Sequence, residues 1–408
     1  MKHSPYFDDE SRKFISEGVR YIADTFKGYD KKNVHESDTA EYLRNVLSEF
    51  ADSVSLQEVS YRPGAQAAAY TGPAALMIFS SFVFFMSRFS ESPAFPIAAL
   101  FFGLFALCWF VYGFLFGRPV GNFLLRKGRG KNVYAVRNSS SGFAKRVIIC
   151  ANIDSANEYR YSTGFPPNWL LIFTLLFALG MVFSVVIFLI FMGAGLPRTD
   201  GAWTKIGVFQ LFLNIIYIPA LFFFSRKRKV RGAAHNLSGA YAAVGIMREL
   251  SNSAYRYKDT RVECLLTCGK NAGQRGAGAF IKNNHEELTG IRTFIVVLES
   301  LCKSDEIALV VRDESGLLKI KDELFSLIST ASGNVGVKIK RAPIKLGSTD
   351  AVRFNHAGIS AATIRAVGKS SRQYYPNRFD STKTINGECI EKVMRLAIEI
   401  INLFSENI

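Results

Sequence analysis

Polar and apolar residues follow two different rhythms along this chain. In residues 8–27 and 37–51, charged and apolar residues recur at helical spacing, which predicts two amphipathic helices. Ser53–Arg62 alternates with a period of two and predicts a strand. Four runs then break the pattern, at about 65–87, 93–117, 168–192 and 205–225. Each reaches the roughly 20 residues needed to cross a bilayer. The third, LLIFTLLFALGMVFSVVIFLIFM, has no polar face, which separates it from the helices of a soluble core. Only Arg88–Ser92 bridges the first two runs, so they are expected to pair tightly and antiparallel. Trp169 and Trp203 sit at span ends, where interfacial anchors belong.

Outside these runs the chain reads as soluble. Asn132–Arg137, Arg146–Ala151, Val262–Leu266, Phe294–Glu299, Glu306–Arg312, Val335–Arg341 and Ile359–Ala366 are predicted strands. Ala277–Ile281 opens a helix, and Ser315–Ser332 and Asn386–Ser405 are predicted helices. The alternation predicts an α/β class: a mostly parallel mixed sheet flanked by helices, with four transmembrane α-helices added. The expected layout has residues 1–64 as opening helices and strand, and 65–117 as a first membrane hairpin. Residues 118–167 follow as further strands, 168–225 as a second, inserted hairpin, and 226–408 as the remainder of the α/β domain.

Composition sharpens this picture in three places. The 35 Phe are bunched in the apolar runs, and the net charge is +16. Basicity of that size suits nucleic acid or an anionic membrane surface. With four apolar runs and no nucleic-acid-binding signature, the bilayer is the expected partner and nucleic acid is not. Six Cys without a C-x-x-C pair read as reduced, buried thiols. The stretch MKHSPYFDDESRKF has no apolar core, so no cleavable signal peptide is expected.

The candidate chemistry centres on Thr267–Ala277, TCGKNAGQRGA, a glycine-broken loop between a predicted strand and a predicted helix. Loops of this kind lie at the carboxyl ends of strands, where α/β folds bind ligands. The loop resembles T-x-G-E-E-x-G-L-x-G-[AS] of the di-zinc aminopeptidases, metallopeptidase family 28. Further stretches resemble the same family in order: NVYAVR and RVIICANID, then RGAAHNLSGAYAAVGIMREL, GSTDAVRFNHAGI (347–359) and YYPNRFDS (374–381). The family's usual amino-terminal G-x-R-x-x-G-S is blurred to FKGYDKKNVHES. HNLSGAY is not a G-x-S-x-G elbow, and GQRGAG lacks the surroundings of a dinucleotide fingerprint.

The resemblance implies a fold and also a set of replacements. The general base falls on Lys270, and the neighbouring zinc ligand on Asn271. The first His ligand falls on Asn152, the bridging Asp on His235, the following acid on Glu299 and the last His on Pro376. Asp154, which orients the first ligand in the family, is kept. Two zinc ions need imidazoles, carboxylates and an open position for water. Here neutral amides and a proline replace most of those groups, and Lys270 repels dications. The expectation is that no cofactor is bound, with His235 and Glu299 as weak metal candidates and a Lys270–Glu299 ion pair as a substitute. His235 otherwise reads as a residue capping the following helix. His3, His35, His285 and His356 lack ligand spacing, and His356 reads as helix-terminal.

Two readings follow from the replacements. One is a multi-pass membrane protein with a non-catalytic, aminopeptidase-like domain that binds a peptide or scaffolds another membrane protein. The other is an active zinc-dependent membrane aminopeptidase with a rearranged site using His235, Glu299 and Asp154. A lipid-handling role for the basic flanks is a third. Under the first reading, Lys270 and Arg275 would suit an acidic ligand. Basic residues near span ends place the soluble domain on the cytoplasmic side of a cell membrane: Arg126, Lys127, Arg129 and Lys131, then Arg226–Lys229 and Arg231, against Arg88, Arg198 and Lys205 opposite.

Overall fold

The computed structural model describes residues 7–26, 36–117, 120, 125–194, 200–368 and 376–406. The expected reading of FKGYDKKNVHES falls largely outside them, as do Tyr374, Tyr375, His3, His35 and Arg198. The chain divides into two units, residues 1–61, 127–158 and 226–408 in one, and 62–126 with 159–225 in the other. In chain order it runs α1 (Asp9–Thr25), α2 (Glu36–Ser48), β1 (Ser53–Tyr61), α3 (Ala65–Met86) and α4 (Ala94–Phe110). Then come β2 (Gly128–Arg137), β3 (Lys145–Asn152), β4 (Asn157–Tyr159), α5 (Pro167–Gly193), α6 (Gly201–Phe212), α7 (Asn214–Leu221) and β5 (Phe224–Lys229). After these lie α8 (Ser238–Asn252), β6 (Thr260–Thr267), α9 (Arg275–Gly290), β7 (Arg292–Leu301), β8 (Ile307–Asp313) and β9 (Leu318–Lys319). The chain closes with α10 (Asp322–Asn334), β10 (Lys340–Pro343), α11 (Ala351–His356), β11 (Ser360–Ala366) and α12 (Gly387–Glu406).

The first unit is built on one mixed sheet, ordered β1-β2-β6-β3-β7-β11-β8-β10, with β9 on β8. Its centre, β6-β3-β7-β11, is parallel, and antiparallel pairs flank it on both sides. Central strands such as Lys145–Asn152 are buried along their whole length, as a sheet covered on both faces requires. One face packs against α8 and α12 through Val147, Ile149, Val244, Ile398 and their neighbours. The other packs against α9 and α11 through Ile148, Leu265, Phe280 and Phe354.

Two expected elements differ in the structure. The helix expected at Ser315–Ser332 begins only at Asp322, because Glu314, Ser315 and Gly316 all adopt positive φ and Leu318–Lys319 folds back on β8. The strand expected at Val335–Arg341 is confined to Lys340–Pro343, since Gly336 is left-handed and Val337 N bonds Ser332 O at 3.0 Å. The fourth apolar run is a span-length helical stretch as expected, Gly201–Leu221, in which α6 and α7 meet at Leu213.

In the second unit, four helical stretches are long and apolar enough to cross a membrane: Ala65–Phe89, Ala94–Phe114, Asn168–Gly193 and Gly201–Leu221. Several of their polar side chains bond one another, while buried Gln210 of α6 has no hydrogen-bond partner among the described residues. Tyr70 meets Thr174 at 3.1 Å, Ser184 meets Tyr217 at 3.0 Å, and Ser81 donates to Asn214 at 3.0 Å. Gly72 and Gly207 leave room for the Trp109 and Phe85 rings, the close approach that small residues permit in such bundles. Trp169 is exposed, as an anchor should be, but Trp203 is buried and stacks on Phe84 at 5.2 Å. Its position is therefore set by ring packing inside the bundle. All six cysteines are free thiols; five are buried and Cys108 is exposed.

Candidate functional site

The candidate site lies where β3, β6 and β7 end. Two close approaches hold its parts in place. A Cβ on Gly239 in α8 would lie 2.2 Å from Leu298 O, so only glycine lets that helix sit against β7 just before Glu299. A Cβ on Gly276 would lie 2.4 Å from Cys268 O and 2.5 Å from Asn132 Oδ1. Asn132 fastens the same loop: its side chain accepts from Cys268 N at 3.0 Å and donates to Gly276 O at 2.9 Å. Gly269 and Gly273, at φ +67° and +95°, bracket the single turn Lys270–Ala272. Gln274 and Ser300 are left-handed without being glycine, a strained conformation that the surrounding bonds must hold.

Within this frame six of the seven residues singled out from sequence come together. Asp154 accepts from Lys270 N at 3.2 Å, Asn271 N at 3.2 Å and Asn271 Nδ2 at 3.0 Å. Asn152 Nδ2 adds a weaker bond at 3.3 Å. Asp154 therefore orders the loop backbone. Lys270 turns its side chain the other way, and Nζ lies 2.5 Å from Glu299 Oε1. Burial alone raises the pKa of Glu299, but Lys270, then Arg365 and His235, outweigh it and hold the carboxyl below its ordinary value. Glu299 Oε2 has no hydrogen-bond partner among the described residues.

His235 lies in the turn before α8, with Nδ1 3.1 Å from Ser300 Oγ. No side-chain hydrogen bond caps α8; the imidazole faces the strand end instead. The capping lies one layer further out, where Asp380 accepts from Ala234 N at 2.7 Å and His235 N at 3.1 Å. Pro376 is buried and takes part in none of these bonds. His356 ends α11 and lies 2.9 Å from Glu314 Oε2.

Three site residues were not foreseen from sequence. Asp350 is buried and accepts from Thr267 Oγ1 at 2.6 Å, while its Oδ1 has no partner among the described residues. Burial pushes its carboxyl up to about 7, with Asp154 and Glu299 adding to the rise and Thr267 and Lys270 opposing it. Asp380 and Arg365 are the others. Asp350 and Asp380 lie within stretches already noted, GSTDAVRFNHAGI and YYPNRFDS, but as acids among many. Arg365 carried the clearer signal: a lone arginine inside the apolar strand SAATIRA is a buried charge that needs a partner.

The donor set fits two zinc ions poorly. Glu299 Oε1 is engaged by an ammonium, Asp154 by amide N–H groups, and positions 152, 271 and 376 supply no imidazole or carboxylate. Among the described residues no three His, Cys, Asp or Glu cluster in a way that would hold a metal ion.

Comparison with known proteins agrees with the fold. The family model "Peptidase family M28" matches residues 221–401. A zinc aminopeptidase from Bacillus subtilis aligns with a TM-score of 0.55 at 11% identity, over 98% of this chain and 96% of that one. A Zn-dependent exopeptidase from Parabacteroides distasonis gives 0.54 at 13%, over 98% and 99%. Glutaminyl cyclase from Bacteroides thetaiotaomicron, bound to N-acetylhistamine, gives 0.55 at 12%, over 98% and 99%. At such identities the likeness shows the fold alone. No curated protein matches the sequence.

Proposed function

Taking residues 221–401 as a peptidase family M28 segment on an aminopeptidase-like fold, we propose that this protein is a membrane-anchored binding or scaffolding module without peptidase activity. The observation that carries the reading is the buried Lys270–Glu299 pair. It puts a cation where the family resemblance calls for a base, and it occupies the acid that would otherwise face a metal. A fold shared by aminopeptidases and glutaminyl cyclases does not fix its own chemistry, so the site must decide.

On this reading the site is an internal polar lock. Asp154 fixes the loop, Lys270 joins the loop to β7, and His235 and Ser300 join β7 to the turn before α8. The bilayer is one partner, and a peptide or a second membrane protein is the expected other. Elemental analysis of the full chain, with melting measured before and after a chelator, tests the reading. The expected result is less than one zinc per chain and an unchanged Tm. Two tightly held metal ions, with Tm falling on chelation, would favour the active metallo-aminopeptidase instead.

A further inference from the structure

Arg275 opens α9 at the far end of the same loop. Its guanidinium is partly buried, and among the described residues no hydrogen bond, ion pair or ring contact engages it. A second arginine reaches the same loop: Arg353 of α11 donates to Gly273 O at 3.0 Å, two residues before Arg275. Burial first, and then Arg353, lower the pKa of Arg275, and no carboxylate offsets them. A partly desolvated cation next to another cation is costly unless an anion joins them. Two guanidinium forks match the paired oxygens of a phosphate.

The path of the chain indicates where such a phosphate comes from. β1 and β6 both run antiparallel to β2, and β3 runs parallel to β6, so β1, β3 and β6 all end on the side of the sheet that carries the loop. The chain leaves for the first pair of spans after β1 and returns into β2 at that same end. It leaves again after β3 and re-enters at the turn before α8, where Asn236 donates to Asp154 O. All four junctions are therefore on the loop's side. Gly269 ties the two features together: a Cβ there would lie 3.1 Å from the Tyr61 ring and 3.2 Å from Arg275 Cβ. Tyr61 closes β1, and the first apolar helix, α3, opens only a few residues later along the chain, at Ala65. The junctions themselves are basic, with Arg62, Arg126, Lys127 and the run Arg226–Lys229. Such clusters draw anionic headgroups toward the protein.

We propose that Arg275 and Arg353 form a binding site for a phosphate oxyanion, supplied by the headgroup of an anionic phospholipid. The proposal rests on the binding-module reading and gives it a ligand class, yet the two fail separately. Peptidase turnover with lipid binding intact would remove the first and leave this one.

The test uses the full chain in nanodiscs of phosphatidylcholine, with and without phosphatidylglycerol, whose only charge is its phosphodiester. Lipid retained on the protein is counted by native mass spectrometry after mild detergent extraction. The wild type should retain phosphatidylglycerol in preference to phosphatidylcholine. Arg275→Gln should weaken retention roughly tenfold, the scale of one lost charge-assisted hydrogen bond. Arg353→Gln should do likewise, and Lys282→Gln, on the exposed side of α9, should leave it unchanged. Retention by Arg275→Gln equal to wild type overturns the site. Inorganic phosphate that raises Tm in phosphatidylcholine discs as much as phosphatidylglycerol does overturns the lipid as its source. Displacement of the lipid by a peptide with a free carboxyl terminus, but not by the amidated peptide, overturns the phosphate assignment in favour of a carboxylate.

Discussion

The Lys270 ammonium lies 2.5 Å from Glu299 Oε1, and both side chains are less than a tenth exposed. Lys270→Met should therefore destabilise the first unit by stranding Glu299. Breaking one side of a buried pair typically costs about 3–5 kcal/mol. Arg365 and His235 remain near Glu299, so the lower end of that range is expected. Lys270→Met/Glu299→Gln should cost less than the sum of the two single changes. Urea denaturation of the four proteins measures the coupling, and strict additivity would mean the contact contributes nothing.

Two carboxyls give stability opposite pH dependences in separate windows. Glu299 has a folded pKa below its ordinary 4.5, so its contribution is full above 4.5 and is lost as pH falls through the folded value. Asp350 is raised from 3.8 to about 7, so its contribution is full below 3.8 and is lost as pH rises through 7. Asp350→Asn should flatten the decline in stability between about pH 4 and 7 and leave the acid limb in place. Melting curves across that range check this; an Asp350→Asn profile parallel to wild type would contradict the assignment.

Gly239 sits where a methyl group would press on Leu298 O at 2.2 Å. Backbone cannot yield as a flexible side chain can. Gly239→Ala should then cost at least the upper end of the about 1–3 kcal/mol typical of overpacking. Gly278→Ala, which meets nothing within 4 Å on α9 across the sheet, is the control and should be neutral or mildly stabilising.

The basic residues flanking the spans predict a cytoplasmic location for all three segments of the first unit. Protease added to intact cells should spare that unit, and permeabilisation should expose it. Digestion from outside the cell would reverse the orientation.

Much of the fold was legible because its signals are local and strong. The spans show as unbroken apolar runs, and β3 and β6 as short apolar strands. Where the reading failed, a few backbone angles decided. Helical spacing continues through Ser315–Ile320, but three consecutive residues with positive φ delay α10, and no side-chain periodicity reports φ. At the site, Lys270, Asn271 and Glu299 stood out because they interrupt a recognisable loop and strand. Asp350 did not, because its importance comes from burial beside Lys270 and Glu299, which only the assembled sheet produces; Arg365 showed as a lone charge in an apolar strand, but its partner did not.

The most direct measurement is turnover of fluorogenic amino-acid amides by the purified full chain, with and without added zinc or cobalt. The account predicts no release above that of a Glu299→Ala control, with either metal present or absent. Sustained turnover that His235→Ala or Glu299→Ala abolishes would contradict it and show that the rearranged site is a working aminopeptidase.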